Sequence, residues 1–384
     1  MADLNPANIP MSLYIHMPWC VRKCPYCDFN SHAVPNGALS LDLEQEYLKA
    51  LLEDFKTQLD FVQGRKIHSV FIGGGTPSLI SATGYQWLFE RLKALVPFEA
   101  GCEITLEANP GTVEHDPFAE YLEAGINRLS LGVQSFDSEH LNKLGRIHSN
   151  QDAIAAIGLA REAGFARINV DLMHGLPDQT LEQALIDLKL AVEHGATHIS
   201  WYQLTIEPNT VFFRTQPVLP VDDVLEQIQE QGEAYLRAQG FINYEVSAWR
   251  KELPSKHNLN YWQFGDYLAI GAGAHGKVSM SDGVYRFQKT RLPKDYLAKV
   301  PAENLQFKKI EAAEMPFEFM MNVLRLNEGV DASIYTERTG QDLSELNSVL
   351  SSLRQRQLMV DDQNRLACTE QGHIFLNSVL EAFL

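Results

Sequence analysis

HMPWCVRKCPYCDF, residues 16–29, holds three of the chain's five cysteines, Cys20, Cys24 and Cys27, in the spacing C-x-x-x-C-x-x-C. The other two, Cys102 and Cys368, stand alone, so the five do not make a disulfide framework and read as packed small hydrophobes. Clustered thiols in such a chain point to metal or redox chemistry in a reducing compartment. Thiolates are soft donors that suit zinc or iron–sulfur clusters. A structural zinc ion wants a fourth ligand, for which His16 and His32 are the near candidates. An iron–sulfur cube also wants four, and three cysteines on a short loop leave one iron open to a small molecule. Spacing alone leaves both readings open.

The cysteine stretch follows the first of six short apolar runs with polar or glycine-rich tips. The runs are SLYIHMP, IHSVFIGGG, CEITLEANP, NRLSLGVQSF, ARINVDLMHGLP and THISWYQLTIEP. Helical patterns lie between them. Leu43, Tyr47, Leu48, Leu51, Leu52, Phe55 and Leu59 recur on one helical face. Thr180 and Gln183 form a capping box ahead of ALIDLKLAVEHG, which Gly195 can terminate. This alternation predicts an α/β fold of parallel strands with right-handed crossovers, and six units suit a partial or complete (β/α) barrel. The tips then gather at the C-terminal edge of the sheet, where α/β proteins bind ligands. That edge collects Cys20, Cys24, Cys27, the Gly73–Thr76 loop, Glu107, Gln134 and Asp171.

The formal net charge is -17, from 49 acidic and 32 basic residues, which argues against nucleic acid as a partner. The opening MADLNPANIP lacks the features of a secretory signal, and no run approaches the ~20 apolar residues of a membrane span. A cytoplasmic location is expected. Residues 209–300 are less regular, with a helix near 222–239, a strand INYEVSAW and a glycine-rich AIGAGAHG. From about residue 304, helices and then LMVDDQNRLACTEQG, read as a hairpin, predict a winged-helix-like appendage. Its acidic setting suggests a lid or docking module. The expected organisation is a short extension (1–11), a partial barrel with its extension (12–300) and a small C-terminal domain (301–384).

The cysteine motif, with Tyr26 before the last cysteine and GGGTPS at 73–78, resembles the radical S-adenosylmethionine superfamily. The resemblance implies a 4Fe–4S cluster on Cys20, Cys24 and Cys27, with S-adenosylmethionine at the open iron. Arg146 would meet the cofactor's carboxylate, Glu107 and Asp171 its amine or ribose, and Gln134 an adenosine edge. SLYIHMPWC, CPYCDF, GGGTPS, LGVQSF and VDLMHGLP together look like the oxygen-independent coproporphyrinogen III oxidase group. In that group the positions matching Tyr14, Gly74, Gly75, Thr76, Glu107, Gln134, Arg146 and Asp171 contact S-adenosylmethionine. The fold implied is a partial, TIM-like barrel with a C-terminal helical domain.

Two departures separate the chain from true oxidases. Those carry a further cysteine where Phe29 stands here, and an N-terminal arm that covers the substrate, whereas the first strand is expected here at about Ser12. HNLNYW at 257–262 is similar to the H-N-x-x-Y-W motif of the HemW-type heme chaperones. That resemblance implies heme as cargo, with His257 as ligand and Asn258, Tyr261 and Trp262 beside it, and respiratory hemoproteins as acceptors. It also implies transient contact with the inner membrane surface and a homodimer. On spacing alone, the same four residues read as a packed and capped helix start. The competing expectation is an oxidase that decarboxylates coproporphyrinogen III, and a third is a radical enzyme acting on another small substrate.

Overall fold

The six apolar runs form six parallel strands: β1 (Met11–Met17), β2 (Ile67–Gly74), β3 (Phe98–Ala108), β4 (Arg128–Gln134), β5 (Ile168–His174) and β6 (His198–Gln203). The computed structural model describes residues 4–34, 38–111, 116–299 and 301–384. Val300, the last residue of the expected barrel portion, and residues 1–3 of the expected extension lie outside the described residues.

Six more strands complete the sheet: β7 (Ile242–Glu245), β8 (Ala248–Arg250), β9 (Asp266–Ile270), β10 (His275–Met280), β11 (Gly283–Lys289) and β12 (Leu305–Lys309). Their order is β12-β11-β10-β9-β1-β2-β3-β4-β5-β6-β8-β7, an open sheet and hence a partial barrel. Strand β9 lies parallel to β1, with Met11 opposite Asp266 and Ile15 opposite Ile270. The parallel set therefore has a seventh member that the sequence pattern did not reveal. All five residues of β9 are buried, so the run shows no alternation to read. INYEVSAW is not one strand but the antiparallel pair β7 and β8, turned at Val246–Ser247.

Local chemistry explains the helices. Leu41–Lys56 starts where the Ser40 hydroxyl accepts from the Leu43 N–H, and Tyr47, Leu48, Leu51 and Phe55 point into the core. Leu181–Glu193 opens with the expected capping box, and Gly195 follows its end at φ +99°. A buried carboxylate anchors the start of β9. Asp266 pairs with Arg65 Nη1 at 2.7 Å and Lys277 Nζ at 3.0 Å, and accepts from Ser279. Burial pushes its pKa upward, yet Lys277 and Arg65 together hold it below the ordinary value.

The C-terminal helices, among them Met315–Val323, Ser333–Thr339 and Asn347–Gln355, pack around Phe319, Met320, Val323, Tyr335, Leu353 and Val379 as a second core. Instead of a full hairpin, LMVDDQNRLACTEQG contributes a single bridge from Met359 to Cys368, and Leu366 pairs with Val330. Residues 305–309 belong to the large sheet through β11, and an Arg286–Glu318 ion pair at 2.6 Å ties that sheet to the helices. Among the described residues no helix is long and apolar enough to cross a membrane.

Candidate functional site

At the C-terminal edge a cavity of about 290 Å³ is lined by Cys20, Cys24 and Cys27, and by Gly74, Gly75 and Thr76. Glu107 and Gln134 from the tips of β3 and β4, Asp171 from the middle of β5 rather than its tip, and Arg146 from beyond the helix Ser138–Lys143 complete its wall. Eleven of the positions expected to hold cluster and cofactor are the three cysteines and eight others. Ten of these face this cavity, and Tyr14 faces a neighbouring one that shares Gly74 and Glu107 with it.

The three thiols are partly buried and in no disulfide. Burial raises the pKa of Cys20 and Cys27, so a metal taken up there must displace protons. Neither nearby histidine is placed as a fourth ligand. His16 Nδ1 lies 2.8 Å from the Tyr14 hydroxyl and Nε2 3.0 Å from the Asn30 carbonyl; His32 Nε2 lies 3.3 Å from Asn30 Oδ1. Among the described residues no three His, Cys, Asp or Glu side chains converge on one ion. Three soft donors around a cavity, with no fourth protein donor among the described residues, suit a cubane held at three corners better than a zinc ion.

The glycine loop has an internal reason for its composition. The Gly75 N–H donates to the Met17 carbonyl at 2.6 Å and the Thr76 N–H to the Trp19 carbonyl at 2.7 Å, which staples the tip of β2 to the start of the cysteine loop. A Cβ at Gly75 would lie 2.3 Å from the Trp19 oxygen. Close approach of the protein's own backbone thus requires glycine there.

Two buried acids face the cavity. Glu107 accepts from the Gly74 N–H at 3.1 Å, and no described ion pair uses it. Burial, with the negative charge of Asp171 adding to it, pushes its pKa up to about 8. Asp171 accepts from Ser130 Oγ at 3.0 Å and Asn169 Nδ2 at 2.8 Å, and burial raises its pKa too. Two carboxyls whose ionisation burial disfavours form a site that a cation would complete. Arg146 is already occupied: its guanidinium donates to Asn109 Oδ1, to the Gly132 carbonyl and, at 3.7 Å, to Cys24 Sγ. Gln134 has φ +69°, beyond a break in the β4–β5 register, and its Oε1 accepts from the Tyr202 hydroxyl at 2.8 Å. Backbone strain of that kind persists where surrounding structure enforces it, as at binding sites.

Asn109 and Tyr202 were not anticipated. Asn109 also donates to Thr76 Oγ1 at 3.1 Å, and both residues line the cavity. Each follows or sits near a strand tip, CEITLEAN and THISWY, which is the one signal that could have found them.

HNLNYW forms the helix Lys256–Trp262, started by the Ser255 hydroxyl accepting from the Asn258 N–H. Its Asn260 Nδ2 donates to Ser12 Oγ at 2.9 Å, and the His257 N–H donates to Glu103 Oε1 at 3.3 Å. These contacts set the helix under the N-terminal half of the barrel. The His257 ring is buried between Phe71, stacked at 4.8 Å, and Tyr261 at 5.1 Å. Asn258 reaches the Tyr244 hydroxyl, and the Arg325 guanidinium lies over the Trp262 ring at 4.4 Å. Of the four motif residues, Tyr261 alone lines a described cavity, the one shared with Tyr14. For His257 to meet a heme iron, the rings of Phe71 and Tyr261 would have to part.

Comparison with known proteins agrees with this fold. The radical SAM superfamily model matches residues 14–191, and the HemN C-terminal domain model residues 310–375. Heme chaperone HemW of Haemophilus influenzae is 50% identical, over 99% of each chain. Heme chaperone HemW of Escherichia coli is 48% identical, over 98% of each. Coproporphyrinogen III oxidase (HemN) from Escherichia coli, a solved structure, superimposes with a TM-score of 0.81 at 22% identity, over 98% of this chain and 90% of that one, a likeness of fold. The chain belongs to the HemW family of radical S-adenosylmethionine proteins.

Proposed function

We propose that this chain is a heme chaperone that carries a 4Fe–4S cluster on Cys20, Cys24 and Cys27 and S-adenosylmethionine in the adjoining cavity, and passes heme to respiratory hemoproteins. The observation that carries the cofactor part is the pair of buried acids, Glu107 and Asp171, facing the three thiols with no described ion pair to either. The cationic amine of S-adenosylmethionine supplies the missing charge. Gly74, Gly75 and Thr76 leave room for its backbone-like end, and Gln134, with Tyr202 behind it, offers an amide to the adenosine edge. Arg146 acts mainly from behind Cys24, where its guanidinium lends positive charge to a cluster-ligating sulfur. When bound, the cluster would supply one-electron reduction of the sulfonium.

Heme as cargo is supported by the names of the relatives and by Phe29, 60% exposed where oxidases resembling this chain carry cysteine. The proposal gives Tyr261 a contact with heme, and His257, Asn258 and Trp262 the task of holding the helix that presents it. Work in the cytoplasm, with brief docking at the inner membrane and self-association into a dimer, completes the reading.

Anaerobic reconstitution with iron and sulfide, followed by spectroscopy with and without S-adenosylmethionine, tests the first half. The cluster spectrum should change when the cofactor is added, and purified material containing zinc would end the proposal. Transfer of bound heme to an apo-hemoprotein tests the second half. Vinyl product from coproporphyrinogen III under reducing, anaerobic conditions would favour the oxidase instead.

A further inference from the structure

A second cavity of about 420 Å³ adjoins the first and shares Gly74 and Glu107 with it. Its remaining wall comes from Tyr14, His16, Asp28, Phe29, Asn30, Tyr261, Gly273, His275 and Arg291. This is the size range of small-molecule sites, and its composition of aromatic rings with a few convergent polar groups fits one. None of the expected cluster ligands lines it.

The wall is built rather than incidental. Asn30, directly after Phe29, donates from Nδ2 to the Ala272 carbonyl at 3.0 Å and to the Arg291 carbonyl at 2.8 Å. A Cβ on Gly273 would lie 2.2 Å from that same Nδ2, so the glycine turn closes onto the amide. One side chain thus fixes three things together: the end of the cysteine loop, the turn that carries His275, and the backbone of Arg291. Behind the turn, Asp54 accepts from the Gly271 N–H at 3.2 Å and from the Tyr296 hydroxyl at 2.6 Å, all buried.

The two histidines of the wall differ. Both nitrogens of His16 are engaged, by Tyr14 and Asn30. His275 is exposed, and none of the hydrogen bonds among the described residues uses its imidazole. Partial burial lowers its pKa, and Arg291 and Arg286 lower it further, so the ring is neutral at pH 7 with a lone pair to give. Arg291 lines the same wall.

We infer that heme is carried in this second cavity, with His275 as the protein's donor to the iron, Tyr14, Phe29 and Tyr261 against the macrocycle, and Arg291 at a propionate. The inference rests on heme being the cargo and assigns it a place. A neutral imidazole is the commonest proximal donor to heme iron, aromatic rings supply the apolar faces, and a guanidinium matches a carboxylate. The acid at the other end of the wall, Asp28, sets the orientation, since the propionate edge turns from it toward Arg291. Cargo and S-adenosylmethionine would then lie on either side of Gly74 and Glu107.

The test uses untagged, full-length protein titrated with heme and, separately, with metal-free protoporphyrin IX, for wild type, His275→Ala, Arg291→Gln and His257→Ala, each checked by a cooperative thermal melt to be folded at the titration temperature. His275→Ala should weaken heme about tenfold and move the Soret band, while leaving protoporphyrin IX affinity unchanged, because only iron reads the imidazole. Arg291→Gln should weaken both ligands severalfold without moving the band, because both carry propionates. If His275→Ala and Arg291→Gln bind heme as wild type does, the location is wrong and the heme proposal survives. A Soret shift confined to folded His257→Ala gives the ligand to His257 and overturns the inference. Wild type that takes up no heme ends the cargo proposal itself, and this one with it.

Discussion

The His16 imidazole fills the space that a side chain on Gly74 would need: a Cβ there would lie 2.5 Å from His16 Cε1. Gly74 also sits at φ +114°, where other residues are strained. Gly74→Ala therefore has two costs, the backbone term of roughly 1–3 kcal/mol and displacement of a ring that the Tyr14 hydroxyl and the Asn30 carbonyl hold. The variant should bind S-adenosylmethionine at least tenfold more weakly by calorimetry, with a smaller loss in melting temperature. Combining it with His16→Ala removes the clash but not the strain, so the double variant should recover part of the affinity. Equal affinity in Gly74→Ala and wild type would refute this account of the loop.

Glu107 makes a pH prediction whose sign follows from linkage. Its ordinary value is 4.5, and burial followed by the Asp171 charge raises it to about 8 in the folded chain. Between those values the folded state keeps a proton that the unfolded state has released, so stability contributed by this group falls as pH rises through that window. Glu107→Gln should flatten that decline and raise stability at pH 8 by on the order of a few kcal/mol, while S-adenosylmethionine binding collapses. Melting temperature recorded from pH 5 to 8.5 checks it. Parallel profiles for variant and wild type would mean that the carboxyl is ionised throughout.

What could be read in advance follows a physical line. The cysteine spacing, the capping box at Thr180 and the apolar runs are local, and the parallel topology then carries the strand tips to one edge without further information. Strand β9 escaped because burial on both faces erases alternation. The placement of Arg146 against Asn109 and Gly132, and of Gln134 against Tyr202, depends on register between β3, β4, β5 and β6, which no single stretch encodes. The same limit applies to HNLNYW, whose spacing is equally compatible with a ligand and with a packed helix. The ring that His257 stacks on is Phe71, nearly two hundred positions away in sequence.

The five cysteines divide by environment. Cys102 and Cys368 are buried, with burial pushing each thiol up to about 12, so they are inert small hydrophobes. Replacement of any one of Cys20, Cys24 and Cys27 by Ser should abolish iron and sulfide retention on anaerobic reconstitution. Cys102→Ser and Cys368→Ser should retain both in full and lose only stability, by about 1–3 kcal/mol for a buried hydroxyl lacking a good partner. Iron and sulfide analysis beside thermal melts separates the two classes; cluster loss in folded Cys102→Ser would contradict the assignment.

His257 gives the opposite pH sign to Glu107. Burial lowers its pKa from 6.5 to about 3, an effect that outweighs the nearby Glu103 carboxylate. Between those values the unfolded chain takes up a proton that the folded chain refuses, so this group's contribution falls as pH drops below 6.5. His16, His148 and His174, each lowered to about 4, act in the same sense, so acid lability should be steep and shared. His257→Phe keeps a ring against Phe71 and Tyr261 and has no proton to take up, so its acid limb should be shallower than wild type by the share of one histidine. Near pH 7.5 the cost of that ring swap should stay below about 1.5 kcal/mol. His257→Ala removes the ring from the stack and should cost about 2–4 kcal/mol near pH 7.5, a cost that shrinks as pH falls because this variant too has no proton to take up. Denaturant melts of the three proteins from pH 4.5 to 7.5 decide the matter. If His257→Phe has the same acid limb as wild type, the imidazole must be charged where it lies, and the Phe71 stack cannot be what holds it.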